Sequence, residues 1–400
     1  MMQATQQIRV RQTTSSTRDK TSLFTIDIKL LSAAIVLLVL GLIMAGSASI
    51  SIADNQLNDP FYYLLRHISY MAFGLVAGFG VTRIPLSLWE VAGPWLIILS
   101  MLLLIMVLTP GLGREVNGSV RWLKLGPVTV QASELVKLFV IIYLAGYLVR
   151  HNDEVRTYAA GFLKPMVLLS LLALLLLLEP DYGAVAVMMV TATGMLWLGG
   201  ARVFQFILLV LSLAVALGLL AVASPYRMER LTTFLNPWAD PFNSGFQLTQ
   251  ALIAFGRGEW FGVGLGSSVQ KLFYLPEAHT DFMLAVMAEE LGLIAVLIVI
   301  GLYTFIVLRA MHIAKTAELR ERPFAGYLAY GIGFWIGLQA FINIGVNMGV
   351  LPTKGLTLPL MSYGGSSLVV TCMAIALLLR VDFETRSGDR NSQQNGGRPW

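Results

Sequence analysis

Charge is what this chain has least of. Of its 400 residues only 13% are charged, against 56% hydrophobic, where a soluble domain carries about 25% charged residues. So low a share excludes an ordinary soluble globule. It also means that long apolar runs, not length, set the architecture. There is a single cysteine, Cys372, which excludes an internal disulfide. It lies in an apolar run with nothing nearby to stabilise a thiolate, so thiol catalysis is not expected. Histidine is scarce too. The four, at 67, 151, 279 and 312, are scattered, and no HExxH or other metal motif occurs. No Ser-His-Asp arrangement, nucleotide P-loop or nucleic-acid signature is found, and no internal repeat of the kind that marks many transporters.

What is present begins with residues 1–25, a polar stretch carrying Arg9, Arg11, Arg18 and Lys20. It reads as a disordered basic cytoplasmic tail. It lacks the short apolar core and small-residue cleavage site of a signal peptide directly after its basic segment. Membrane spans are expected at about 30–52, 62–83, 91–109, 133–150, 162–178, 182–199, 203–223, 281–308, 325–350 and 358–380. The fifth and sixth divide one apolar stretch at Glu179-Pro180-Asp181. Undivided, at about 1.5 Å per residue, that stretch would far exceed a ~30 Å hydrocarbon core. With the N-terminus inside, roughly twice as many lysines and arginines fall on the inner side as on the outer. The expected fold is therefore an all-α integral membrane protein of about ten transmembrane helices, both termini cytoplasmic. The membrane domain covers 26–382, has a large extracytoplasmic loop at 224–280, and is followed by a disordered tail at 383–400.

The unusual residues gather on the outer side. Residues 276–292, PEAHTDFMLAVMAEELG, run a polar segment into a membrane helix. Charge at the mouth of such a helix is costly and is usually functional. Glu289 lies about 80° round the helix from Asp281 and ~12 Å below it, and Glu290 faces the opposite way. Asp281 remains as the candidate general base, with the two glutamates structural. At the start of the fourth span Glu134 and Lys137 are three apart, hence on one face, and an intramembrane lysine normally faces a protein cavity.

Within the long loop, residues 246–256 are apolar enough to form a short interfacial helix. Glycines 256, 258, 262, 264 and 266 follow, beside Arg257 and Lys271. Such turns can bind phosphate, although tight-turn geometry alone accounts for them equally well. A third outer segment, 348–367, carries Lys354, Ser362, Tyr363 and Ser366 into the last span. A substrate held among Arg121, Lys137, Arg257, Lys271 and Lys354 would be anionic and partly lipidic.

The order NGSxRW…QxSELxKL, LLEPDYG, GxGLG, PEAHTDF…AEELG and LPTKGLTLPLMSYGGSS resembles the SEDS family of bacterial cell-wall polymerases, from about residue 30 to 382. The last two motifs look more like its cell-division member than its elongation member. The resemblance implies a SEDS-type fold and a peptidoglycan glycosyltransferase that polymerises lipid II at the division septum of the bacterial inner membrane. It implies a class B penicillin-binding protein as partner, an FtsI-like septal transpeptidase, alongside division membrane proteins such as FtsQ, FtsL and FtsB. The family's essential aspartate falls on Asp281, and its fourth-helix acid and lysine fall on Glu134 and Lys137. Arg257, Lys271 and Lys137 are the candidates for the lipid diphosphates, with Arg121, Lys354, Ser362 and Ser366 as further substrate contacts. A divalent cation, Mg²⁺ or Mn²⁺, could share that work, with Asp281 helping to hold it. The readings that stay open are an elongation polymerase, a lipid II flippase and a division scaffold without a reaction of its own.

Overall fold

The computed structural model describes residues 26–116, 119–126, 128–202, 204, 211, 234–243, 245–352 and 355–395. The expected tail at 1–25, almost all of the expected span at 203–223, and Lys354 lie outside the described residues.

Eleven helices are described: α1 Ile28–Leu57, α2 Tyr62–Arg83, α3 Leu86–Leu108, α4 Ala132–Arg150, α5 Asn152–Thr157, α6 Ala159–Leu178, α7 Tyr182–Leu198, α8 Phe246–Gly258, α9 Met283–Leu319, α10 Pro323–Asn347 and α11 Gly365–Asn395. Eight of them are long and apolar enough to cross a membrane, and α7 is a shorter apolar helix. These helices fall on nine of the ten expected spans. Their boundaries follow local chemistry. Asp27 caps α1, its carboxylate accepting from the N–H groups of Lys29 and Leu30. Pro85 separates α2 from α3, and Asp181 caps α7 by accepting from the Ala184 N–H.

The packing is uneven. α4 is almost wholly buried at the centre, against α3, α7 and α10. α2 and α3 lie at the rim and turn large apolar side chains outward, Phe73, Val76 and Phe79 on one and Val91, Trp95 and Leu102 on the other. An outward apolar surface of this kind belongs against lipid. Lipid removes the hydrophobic drive between helices, so close approach of small residues must replace it. Gly74 and Gly78, one turn apart on α2, meet α11 in this way. A Cβ on Gly74 would come within 3.2 Å of Cys372 Sγ, and one on Gly78 within 3.3 Å of the Cys372 carbonyl oxygen.

Three features depart from the sequence expectation. First, the segment before α4 adds a small antiparallel sheet to the expected all-α fold, with β1 Gly113–Val116, β2 Ser119–Leu125 and β3 Val128–Gln131 in that order. Trp122 pairs with Arg114 on one side and Gln131 on the other. The turn at Gly126 takes a positive φ of 64°, which suits a residue without a Cβ. Second, α11 runs on to Asn395, so residues 383–395 continue a helix instead of starting a disordered tail. The i,i+4 pairs Arg380–Glu384 and Arg386–Asp382 support its inner end.

Third, α9 is two helices joined at Gly292, whose φ of 76° and ψ of −178° are not helical. The glycine loop after α8 fits into that break. A Cβ on Gly292 would lie 2.4 Å from the Trp260 carbonyl oxygen, and one on Gly262 would lie 2.2 Å from that of Glu290. The backbones touch, and only glycine allows it.

Candidate active site at the outer end of the bundle

Asp281 stands two residues before α9, in the turn that carries the chain from the outer loop into the membrane. Its backbone carbonyl accepts from the side-chain amides of Asn343 and Asn347, each at 2.9 Å. Its carboxylate has no hydrogen bond or ion pair among the described residues and is half-buried. Oδ2 faces Gly355, where an added Cβ would come within 3.0 Å. Burial raises the carboxyl to about 7, and Glu277 and Asp181 add to the rise while Arg121 opposes it. A carboxyl poised near neutrality with an open lone pair can take a proton from a substrate hydroxyl.

The asparagines belong to a stripe on α10 with one member per turn, Trp335, Gln339, Asn343 and Asn347. At its inner end Lys137 Nζ donates to Glu134 at 2.8 Å and to Gln339 Oε1 at 2.7 Å, under the Trp335 ring. Gln339 Nε2 then donates to the Thr357 carbonyl, and Asn343 Nδ2 to that of Leu356. The stripe thus ties the Glu134–Lys137 pair to the segment beside Gly355 and to the Asp281 peptide. Glu134 and Lys137 are both buried in protein, and their hydrogen-bonded route towards the Asp281 region runs through this scaffold. The amide stripe escaped sequence reading. Its signal was there, as a glutamine and two asparagines at four-residue spacing in an apolar helix.

Arg121, on β2, donates to the carbonyl oxygens of Glu179 and Pro180. This holds its guanidinium between the α6–α7 turn and Asp281. Asp181 accepts from Ser133 Oγ at 2.8 Å. Glu179 is fully buried, and neither carboxylate oxygen has a hydrogen-bond partner among the described residues. Burial, then Asp181, raises it to about 8, with Arg121 opposing.

Three other expected substrate contacts, Lys271, Ser362 and Ser366, have different work, while Arg257 keeps a partly exposed side chain. Lys271 is buried in an ion pair with Glu290 at 2.7 Å and also donates to Ser47, which removes it from the set of diphosphate ligands. Arg257 pairs with Glu289 at 3.3 Å while its side chain stays 44% exposed. Ser362 Oγ accepts from the Leu358 N–H, and Ser366 Oγ from the Gln131 N–H. The two serines fold the loop and fasten α11 to the sheet.

Glu289 and Glu290 are structural, as the sequence suggests. Glu289 accepts from the N–H groups of Val269 and Gln270 and from the Ser268 hydroxyl, and Glu290 from Lys271 and Ser47. The phosphate reading of the glycine loop falls with them. Its N–H groups at Gly262, Val263 and Gly264 already meet the carbonyls of Gly258, Glu289 and Glu290. As for a divalent cation, no three His, Cys, Asp or Glu side chains converge to hold one among the described residues.

A family model described as "Cell cycle protein", covering FtsW, RodA and SpoVE, matches residues 28–387. The chain belongs to the FtsW/RodA/SpoVE family. A curated relative from Nitrosococcus halophilus, named a probable peptidoglycan glycosyltransferase FtsW, is 61% identical over 90% of this chain and 93% of its own. One from Legionella pneumophila with the same name is 54% identical over 89% and 91%. Among solved structures, a chain reported under "Structural coordination of polymerization and crosslinking by a peptidoglycan synthase complex" is 28% identical. It aligns with a TM-score of 0.75 over 90% of this chain and 99% of that one. Rod shape determining protein RodA of Thermus thermophilus, also 28% identical, aligns at 0.65 over 90% and 97%. Membership in the family makes this a multi-pass membrane protein with the SEDS fold.

Proposed function

We propose that this chain is a peptidoglycan glycosyltransferase that polymerises lipid II at the outer face of the bacterial cytoplasmic membrane, with Asp281 as general base. One observation carries the reading. The Asp281 peptide is gripped by two asparagines, while its carboxylate stays without a partner among the described residues. A structural aspartate would show the opposite pattern, as Asp27 and Asp181 do.

In the reaction, Asp281 takes the proton from the 4-hydroxyl of the acceptor GlcNAc as that oxygen bonds to C1 of the donor MurNAc. The C1–O bond to the lipid diphosphate breaks, and its electron pair leaves on the diphosphate. General-base help of this kind is typically worth ~10²–10⁴-fold. Arg121 holds positive charge beside the base and against the acidic turn at Glu179–Asp181, which keeps the site from accumulating uncompensated negative charge. Exposed Arg257 remains a contact for the anionic substrate, and Lys354 keeps that role by sequence position. A divalent cation taking part would arrive with the diphosphate, since among the described residues no three His, Cys, Asp or Glu side chains converge to hold it.

The names of the relatives support action at the division septum. The synthase-complex relative supports a crosslinking partner, a class B penicillin-binding protein, with further division membrane proteins around it. The test is a polymerisation assay with purified full-length protein and lipid II, with and without the septal transpeptidase. Glycan strands that need this chain are expected. Transfer of labelled lipid II across the bilayer without any glycan would overturn the assignment in favour of a flippase.

A further inference from the structure

The start of α2 carries Tyr62, Arg66 and Tyr70 at four-residue spacing, hence on one face. Arg66 Nη1 donates to the Tyr62 hydroxyl at 2.8 Å and Nη2 to the Tyr70 hydroxyl at 2.9 Å. The guanidinium lies 5.4 Å and 5.7 Å from the two ring centroids. Phenols are neutral acceptors. No carboxylate stands within ion-pair distance of Arg66 among the described residues, whereas Lys137, Arg257 and Lys271 each have one. A guanidinium has five N–H donors, so with two named acceptors its charge and part of its hydrogen-bonding capacity remain open.

The arginine is also tied to the candidate base. Tyr70 packs on Gly365, where an added Cβ would come within 2.8 Å of its ring. Its ring lies 6.4 Å from that of Tyr363. Tyr363 in turn lies 5.4 Å from the His279 ring, and its N–H donates to the His279 carbonyl oxygen at 3.0 Å. His279 is two residues from Asp281. An arginine placed only to anchor a helix at the membrane surface reaches towards headgroups. This one is turned between two rings that lead to the site.

We propose that Arg66, framed by the Tyr62 and Tyr70 hydroxyls, is the cradle for the lipid-borne diphosphate. Planar guanidinium forks suit phosphate oxygens, and the phenols can turn their O–H groups to donate as well. The assignment rests on the glycosyltransferase reading and names the group that stabilises the diphosphate as it departs with the electron pair, replacing Lys271 in that role. The same phosphate chemistry is offered by ordinary phospholipid headgroups, so the test separates the two sources.

Full-length protein in phosphatidylcholine nanodiscs is titrated with farnesyl diphosphate, with farnesyl monophosphate and farnesol as controls, and again in discs containing phosphatidylglycerol. Arg66→Gln is expected to weaken farnesyl diphosphate binding about tenfold or more, and Arg66→Lys by less, because an ammonium lacks the fork. Asp281→Asn should bind it as the wild type does, and phosphatidylglycerol should not compete. Wild-type binding by Arg66→Gln, or equal competition from phosphatidylglycerol, would overturn the proposal. Lipid II polymerisation is measured on the same preparations. Arg66-dependent binding in a protein that makes no glycan would remove the glycosyltransferase reading and leave the cradle standing. Undiminished polymerisation and binding by Arg66→Gln would do the reverse.

Discussion

Asn347 donates its side-chain amide to the backbone carbonyl of Asp281 at 2.9 Å, and its Oδ1 accepts from the Ala285 N–H at 3.2 Å. One side chain therefore fixes both the entry to α9 and the peptide of the candidate base, without touching the carboxylate. Position of the base and availability of the base are handled by different atoms.

Replacing the positioning amides should lower turnover without removing the base. Asn347→Ala removes one of two acceptors of the Ala285 N–H, which keeps the Phe282 carbonyl. It also removes one of two amide donors to the Asp281 carbonyl, which keeps Asn343. The loss is that of ordinary hydrogen bonds, ~0.5–1.5 kcal/mol each. A fall in kcat of about 10–100-fold is expected, since small misplacement of a base costs that much, with the Asp281 pH profile retained. Steady-state lipid II kinetics on detergent-purified variants checks this. Asn343→Ala should behave alike.

The pH dependence follows from the raised Asp281 carboxyl. A base works when ionised, so activity should climb with pH about tenfold per unit below the apparent pKa, near 7, and level off above it. Glu277→Gln removes one of the groups that raise Asp281 and should shift the rising limb to lower pH. A kcat/KM profile from pH 5 to 9 reads both. A limb unmoved by Glu277→Gln would show that Glu277 does not act on the base.

Glu179 makes an unusual stability prediction. Its folded carboxyl is held at about 8 against an ordinary 4.5. Below 4.5 both folded and unfolded chains are protonated and nothing is lost. As pH rises from 4.5 towards 8 the unfolded chain ionises while the folded one keeps its proton, so the group costs progressively more stability. Glu179→Gln should therefore be active at pH 7, and its lead over wild type in thermal denaturation should widen from pH 5 to pH 8. A constant gap would contradict the buried, protonated acid.

The Lys271–Glu290 pair is buried beneath the outer loop, with side chains 7% and 0% exposed. Removing one member leaves the other charge without its counter-ion. Lys271→Met or Glu290→Gln alone should destabilise by ~3–5 kcal/mol, while the double replacement should recover much of the loss. Thermal shift of the purified protein measures it. Double-variant protein that still polymerises lipid II would confirm that Lys271 holds the loop and not the substrate.

Much of this was legible in the sequence, because membrane helices announce themselves by apolar length and because Asp281 stands at a costly position. Glu289 and Glu290 could be set aside by helix geometry alone. The fate of Lys271 could not be read. Its partner sits nineteen residues away on another element, and nothing local says that a loop folds back onto α9. The break at Gly292 was hidden for the same reason, since a glycine in an apolar run costs a helix only about 1 kcal/mol. It takes the contact with Trp260 and Gly262 to show why the backbone turns there. The sheet before α4 went unseen because β1 and β3 have only four residues each, too few for alternation to stand out.

Lipid II polymerisation by wild type and Asp281→Asn, both purified with their partner transpeptidase and matched for insertion and thermal stability, tests the central claim most directly. A fall of ~10²–10⁴-fold in kcat for the variant is expected, with lipid diphosphate binding unchanged. Glycan synthesis at the wild-type rate by Asp281→Asn would contradict the assignment of Asp281 as the base.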